Sequence, residues 1–293
     1  MKIKTSIGSK AFDVANYAFL ILLSIATFYP FYYVLASSLS QPLSLMQHEG
    51  LLLAPQGFSL ESYKFVLRYP MILRGYLNTL IIVVAGVGFN LAATCLAAYG
   101  LSRKNLMFKR PIILMIIVTM YISGGLIPSF LLVNQFLRLG NTYWALWLPG
   151  LVSTYSMIIL RTAMENIPDS LEESAHLDGA NDFTILWRII LPLSKATIAV
   201  IVLQYGVAHW NSWFPAMIYL NDRKLFPLQL IMREILLADS TDIMTLDMSG
   251  DKAPIMGSIR YTTIIVGTVP ILLVYPFLQK HFTKGVMLGS LKG

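Results

Sequence analysis

An all-α, polytopic membrane protein with six transmembrane helices is the fold class this sequence predicts, on three observations. Of 293 residues, 56% are hydrophobic and only 13% are charged, with a mean hydropathy of +0.65. Soluble domains carry about 25% charged residues, so this chain has too little charge to cover a water-facing surface. The apolar residues also fall in long continuous runs rather than alternating with polar ones, which selects helical spans over barrel strands. Finally, Lys and Arg gather in short connections between the runs, the pattern that sets membrane orientation. The net charge of +7 is explained by that pattern and implies no nucleic acid.

A span takes about 20 mainly apolar residues, and six stretches qualify: residues 14–35, 76–101, 111–133, 143–164, 195–220 and 259–279. The first is too long and too aromatic for a signal-peptide core, and no small-x-small cleavage site follows it, so it is expected to be retained. Lys2, Lys4 and Lys10 precede it. Arg103, Lys104, Lys109 and Arg110 join the second and third spans, and Lys280, Lys284 and Lys292 follow the sixth. Six crossings put all of these on one side, which the positive-inside rule makes the cytoplasm, together with both termini. The other side receives two long outer loops, about 38–75 and 221–258. The second is acidic, with Asp222, Glu234, Asp239, Asp242, Asp247 and Asp251 against Arg223, Lys224, Arg233 and Lys252. No repeat or soluble domain boundary is visible, so residues 1–293 read as a single transmembrane domain.

Within the spans, Gly124-Gly125 and Pro128 interrupt the third, freeing backbone groups that must find partners in protein or a water-filled cavity. A packing kink and a cavity-lining break both fit. His209, Trp210, Asn211 and Trp213 place polar or amphipathic side chains inside the fifth. Such groups are costly in lipid and face the bundle interior or a pathway, although tryptophan also anchors helices at the interface and asparagine bonds neighbouring helices.

Between the fourth and fifth spans lies a polar island, residues 168–192. Pro168 ends what precedes it, Ser170-x-x-Glu173 has the spacing of a capping box, and Leu171 and Ala175 fall on one helical face. Gly179 permits a sharp turn that a longer side chain would resist. No catalytic constellation emerges elsewhere. His48, His176, His209 and His281 fall in four different regions, so no metal cluster is indicated. The lone Cys95 excludes an intrachain disulfide, and no G-x-x-x-x-G-K-S/T phosphate loop occurs. The chain reads as a conduit rather than an enzyme, with no cofactor of its own.

The run Glu173-Ser174-Ala175-His176-Leu177-Asp178-Gly179-Ala180, followed by Ile189-Ile190-Leu191-Pro192, resembles the signature of ABC-importer membrane subunits. Its one departure is Ser174, where the family usually has Ala. Ala98-Tyr99-Gly100-Leu101-Ser102-Arg103 and Trp210-Asn211-Ser212-Trp213-Phe214 are similar to the carbohydrate-importing members. Gly124-Gly125-Leu126-Ile127-Pro128 and the tail from Tyr275 through Gly293 resemble a branch handling complex or acidic oligosaccharides, including alginate and rhamnogalacturonan importers. The resemblance implies a type I permease fold in a bacterial plasma (inner) membrane. It implies a coupling role for Glu173, Ser174, Ala175, Asp178, Gly179, Leu191 and Pro192, which would dock on an ATPase subunit. The implied partners are a second homologous permease, two ATPase subunits carrying ATP and Mg, an extracytoplasmic sugar-binding protein and the oligosaccharide itself. Because aromatic faces stack on sugar rings, Tyr121, Tyr155, His209, Trp210, Asn211 and Trp213 become candidates for the substrate path. An ion-gradient-driven secondary transporter would favour acidic residues inside the spans, yet Asp13 and Glu165 sit at span ends. A membrane scaffold protein using the same docking segment is the other alternative.

Overall fold

Long apolar runs form helices here because every backbone polar group must be satisfied without water. The computed structural model describes residues 7–104, 106–237 and 257–273. Among these residues it is helical, with no strand beyond one isolated bridge between Ser40 and Phe58. The chain divides into two compact units, Met1–Tyr69 with Ile235–Thr268, and Pro70–Glu234 with Val269–Gly293.

In the first unit, α1 (Ile7–Ser38) is apolar all round and exposes Phe12, Leu22, Phe28 and Phe31, a surface suited to hydrocarbon rather than water. The chain then folds back over the end of α1. Tyr29 accepts from the Leu52 amide at 3.0 Å and Tyr32 donates to the Leu53 carbonyl at 2.6 Å, leaving Leu52 fully buried. Helices α2 (Pro42–Met46) and α3 (Glu61–Arg68) follow, and the Ser38 and Tyr63 hydroxyls bond at 2.8 Å. Tyr261, from the last described helix, forms a T-shaped pair with Tyr33, their ring centroids 5.8 Å apart.

The second unit is organised by α4 (Pro70–Ser102), 33 residues long. It packs against α8 (Thr154–Glu165) and α12 (Lys195–Trp210) around Cys95, Ala98, Leu101, Leu160, Met164, Ile190 and Ile201. One stripe of α4, at helical spacing, carries Asn78, Thr79, Gly86, Asn90 and Thr94, all buried, and these residues hold other elements. Asn78 Nδ2 donates to the Lys224 and Phe226 carbonyls at 2.8 and 2.9 Å, and Thr79 Oγ1 accepts from the Leu228 amide at 2.9 Å. This seats α14 (Leu228–Leu237), which follows the 3₁₀ turn Arg223–Leu225. Asn90 Nδ2 donates to the Gly150 and Leu151 carbonyls at 2.7 and 2.8 Å.

Two of the expected spans, 14–35 and 76–101, correspond to single helices long and apolar enough to cross a membrane. The third, fourth and fifth are broken. The third is α5 (Lys109–Tyr121) and α6 (Leu126–Leu131), the latter continued by the π turn Leu132–Phe136, with a bend of 109° at Gly124-Gly125. Gly125 holds φ +83°, and its carbonyl accepts from Ser129 Oγ at 2.8 Å. The fourth divides into α7 (Trp144–Trp147) and α8 around Pro149-Gly150. The backbone freed there is satisfied by Asn90 and by Tyr205, whose hydroxyl accepts from the Ser153 amide at 2.8 Å and bonds Thr94 at 2.8 Å. The fifth stops at Trp210 and resumes as α13 (Trp213–Tyr219). Of the sixth, α15 (Gly257–Leu273) is described and is shorter than a full span; residues 274–279 and the tail motif lie outside the described residues, as do the acidic residues 239–251.

Candidate functional site

The polar island folds as two short helices set across the end of the bundle. Helix α9 (Asp169–Leu177) begins with Pro168 at its N-cap and no side-chain cap. The expected capping box is therefore not formed. The helix starts before Ser170, so Ser170 lies inside its first turn with its carbonyl taken by Ser174 Oγ at 2.8 Å, and Glu173 is exposed. Leu171 and Ala175 both lie in α9 at the spacing of one helical face, but their burial differs. Leu171 is exposed, whereas Glu172 and Ala175 are half-buried, and Ala175 packs on the core with Ala180, Ile189 and Leu191.

Helix α9 ends in a Schellman turn. The Gly179 amide donates to the His176 carbonyl at 3.0 Å and the Ala180 amide reaches the Ala175 carbonyl at 2.9 Å. Gly179 takes φ +79°, the left-handed value such a turn requires and an L side chain resists. Asn181 then caps α10 (Asp182–Ile185), its Oδ1 accepting from the Thr184 amide at 2.8 Å. This cap was legible as an Asn before an acidic first turn. The π turn Leu186–Ile190 and α11 (Leu191–Leu193) lead into α12 with an 85° bend. The segment thus buries Ile185, Leu186 and Ile190 against the bundle while exposing Leu177 at 89%, Phe183 at 65% and Trp187 at 67%. Ser174, Asp178 and Gly179 lie on its exposed side.

The segment is tied to α4. At the C-terminus of α4 the last carbonyls lack intrahelical partners, and cations meet them. Arg161 Nε donates to the Leu101 carbonyl at 3.2 Å and Lys109 Nζ to that of Ser102 at 3.2 Å, a placement the helix dipole favours. Both cations also bond Glu165 Oε1 at 2.7 Å. Burial pushes the Glu165 carboxyl up, but the bonds from Lys109 and Arg161 and their charges prevail and hold it below the usual carboxylate value. Arg103 pairs with Glu172 and Lys104 with Asp169. The Asp169 partner raises the Lys104 ammonium above its ordinary value. Glu172, adjacent to the singled-out Glu173, carried no sequence signal of its own.

The substrate-path candidates separate into two kinds. His209 is buried, its Nε2 2.6 Å from Asn90 Oδ1 and packed on Gly86, so it joins α12 to α4. Trp210 is buried with its Nε1 unpartnered among the described residues. Asn211 is exposed and bonds the Val207 carbonyl at 3.0 Å. Trp213 is 36% exposed and lies under the Arg233 guanidinium, 4.7 Å from its ring centroid. Tyr121 and Tyr155 are exposed, each within two residues of the Thr119–Thr154 hydroxyl contact at 3.4 Å between α5 and α8. Among the described residues no group of three His, Cys, Asp or Glu is placed to hold a metal.

Apolar helices of membrane length, with a short segment that leaves Leu177, Phe183 and Trp187 exposed, are the features of a membrane protein. Residues 90–288 match the model of the binding-protein-dependent transport system inner membrane component family, and the chain belongs to that family. It is 40% identical over 288 residues to the polygalacturonan/rhamnogalacturonan transport system permease protein YtcP of Bacillus subtilis (strain 168), covering 97% of this chain and 99% of that protein. It is 37% identical over 286 residues to protein LplC of the same organism, covering 98% and 96%. Among solved structures, a chain of a bacterial ABC transporter that imports the acidic polysaccharide alginate superposes with a TM-score of 0.87 at 28% identity, covering 96% of this chain and 100% of that one. The protein is therefore a permease subunit of the ABC-importer type.

Proposed function

We propose that this permease serves an importer of acidic oligosaccharides and that residues 168–192 couple it to an ATPase. The observation that carries the coupling reading is the two-sidedness of the segment. Ala175, Ala180, Leu186 and Ile190 fix it to the bundle while Leu177, Phe183 and Trp187 present an apolar face to the outside. An apolar face on a rim of charge, held by a rigid base, suits a protein partner. Ser174, Asp178 and Gly179 lie on the exposed side, and Glu173 beside them is free to meet the ATPase because it caps nothing. Ala175 and Leu191 act from the inside by seating the lever, and Pro192 stands at its bend into α12. The chain itself performs no chemistry: ATP and Mg belong to two ATPase subunits, and a second homologous permease completes the pathway. In this reading the chain crosses the plasma membrane six times with both termini cytoplasmic, its broken helices counting as spans. ATP-driven closure of the ATPases shifts a two-state equilibrium between inward-open and outward-open arrangements.

The acidic substrate is supported by the relatives named above. Of the path candidates, Asn211, Trp213, Tyr121 and Tyr155 remain exposed enough to meet sugar, whereas His209 has its ring nitrogen committed to Asn90. The test is reconstitution of the chain with its permease partner, ATPases and binding protein in liposomes. Uptake of labelled oligogalacturonate should require both ATP and the loaded binding protein. Uptake driven by an ion gradient without ATP would establish a secondary transporter instead, and a complex with no uptake of any sugar would favour a scaffold.

A further inference from the structure

We propose that Arg103 is a positioning residue that makes α4 move with the coupling helix. Its guanidinium is divided between two elements. Nε lies 3.1 Å from Ser102 Oγ and 3.4 Å from the Tyr99 carbonyl, and Nη2 lies 2.8 Å from Ser102 Oγ. The plane rests on the Tyr99 ring, 4.4 Å from its centroid. These contacts lock the side chain to the end of α4. The remaining nitrogen, Nη1, pairs with Glu172 in the first turn of α9, where the helix dipole favours a carboxylate.

Depth distinguishes this pair from its neighbour. The Arg103 and Glu172 side chains are 25% and 16% exposed, against 75% and 53% for Lys104 and Asp169. Exposed pairs are screened and contribute little, while a charge-assisted bond sheltered from water fixes direction as well as distance. The distinction matters because of connectivity. Helix α9 joins α8 through residues 166–168 and joins α12 through residues 178–194, so both feel it covalently. Helix α4 is not continuous with α9, yet it carries the stripe of Asn78, Thr79, Asn90 and Thr94 that holds the breaks of the other helices. Apolar packing of Ala175 and Ala180 is non-directional and can slide; the Arg103–Glu172 pair sets the register in which α9 pulls on α4.

The inference rests on the coupling reading, and its experiment separates the two. In the reconstituted importer, Arg103→Gln, Glu172→Gln and the double variant are compared for assembly, basal ATP turnover and sugar moved per ATP. Each single variant should assemble and hydrolyse ATP within about twofold of the parent. Sugar moved per ATP should fall at least fivefold, the double variant should be no worse than either single, and Arg103→Lys should recover part of the loss. Should Arg103→Gln fail to assemble, Glu172→Gln delivers the same reading from the other partner. An unchanged transport ratio, or losses that add in the double variant, overturns the positioning role while leaving the coupling reading in place. A parent complex whose uptake ignores ATP and binding protein overturns the coupling reading itself.

Discussion

Replacing Gly86 by alanine tests how α4 and α12 are held together. A Cβ built at residue 86 would stand 2.5, 2.8 and 2.9 Å from His209 Nε2, Cε1 and Cδ2, inside any permitted contact. Both residues lie in helices, so the added methyl has no backbone freedom, and the imidazole must turn away or the helices must part. Turning breaks the 2.6 Å bond to Asn90 Oδ1 and leaves a buried acceptor unsatisfied, at about 1–3 kcal/mol. Parting the helices is overpacking, with a similar cost of about 1–3 kcal/mol. Alanine returns about 1 kcal/mol of helix propensity over glycine, so the net loss should be about 0–2 kcal/mol, up to roughly thirtyfold in the folding equilibrium. The measurement is denaturation of the purified complex in nanodiscs, for Gly86→Ala alone and in a His209→Ala background. In that background the ring is gone, and Gly86→Ala should become neutral or mildly stabilising. Equal destabilisation in both backgrounds, or a gain in the parent, would refute the steric argument and free His209 for a place on the sugar path.

Three further outcomes are expected. Gly179→Ala meets open space but a φ of +79°, so its cost is backbone strain of about 1–2 kcal/mol; co-purification of ATPase should weaken, and Gly179→Asn should be milder. Trp187→Ala removes a side chain that is 67% exposed and should shift stability within about 0.5 kcal/mol while reducing ATPase affinity, as measured by titration of the isolated ATPase. Glu165 has its folded pKa below the unfolded value, so its contribution is present above about pH 4.3 and disappears as pH falls through the folded value; thermal melts at decreasing pH should show that loss in the parent and a flatter profile in Glu165→Gln.

Two span positions, those of α1 and α4, were readable because length and hydropathy alone place them. The breaks in the third, fourth and fifth were only partly readable. Gly124-Gly125 announced the 109° bend, and Pro149-Gly150 carried an equally strong turn signal inside a run that otherwise looked continuous. The stop at Asn211-Ser212 has no such mark. Local signals fixed the Gly179 turn correctly but misplaced the start of α9, because Pro168 serves at the N-cap without a side-chain acceptor. What sequence could not supply was partnership across distance. His209 finds Asn90 119 positions away and Arg103 finds Glu172 69 away, and neither pairing leaves a trace in local spacing.

The stripe on α4 also bears on how such a chain enters a bilayer. The stretch around residues 148–153 is non-helical, and its exposed backbone groups would each cost several kcal/mol in hydrocarbon. Its solution, the Asn90 amide and the Tyr205 hydroxyl backed by Thr94, lies half in a helix synthesised earlier and half in one synthesised later. Helix α4 is long and apolar enough to cross a membrane and precedes the broken stretch along the chain. The order of helices along the chain thus sets Asn90 ahead of the stretch it satisfies and Tyr205 behind it, so the stretch has all these partners only with both α4 and α12 in place.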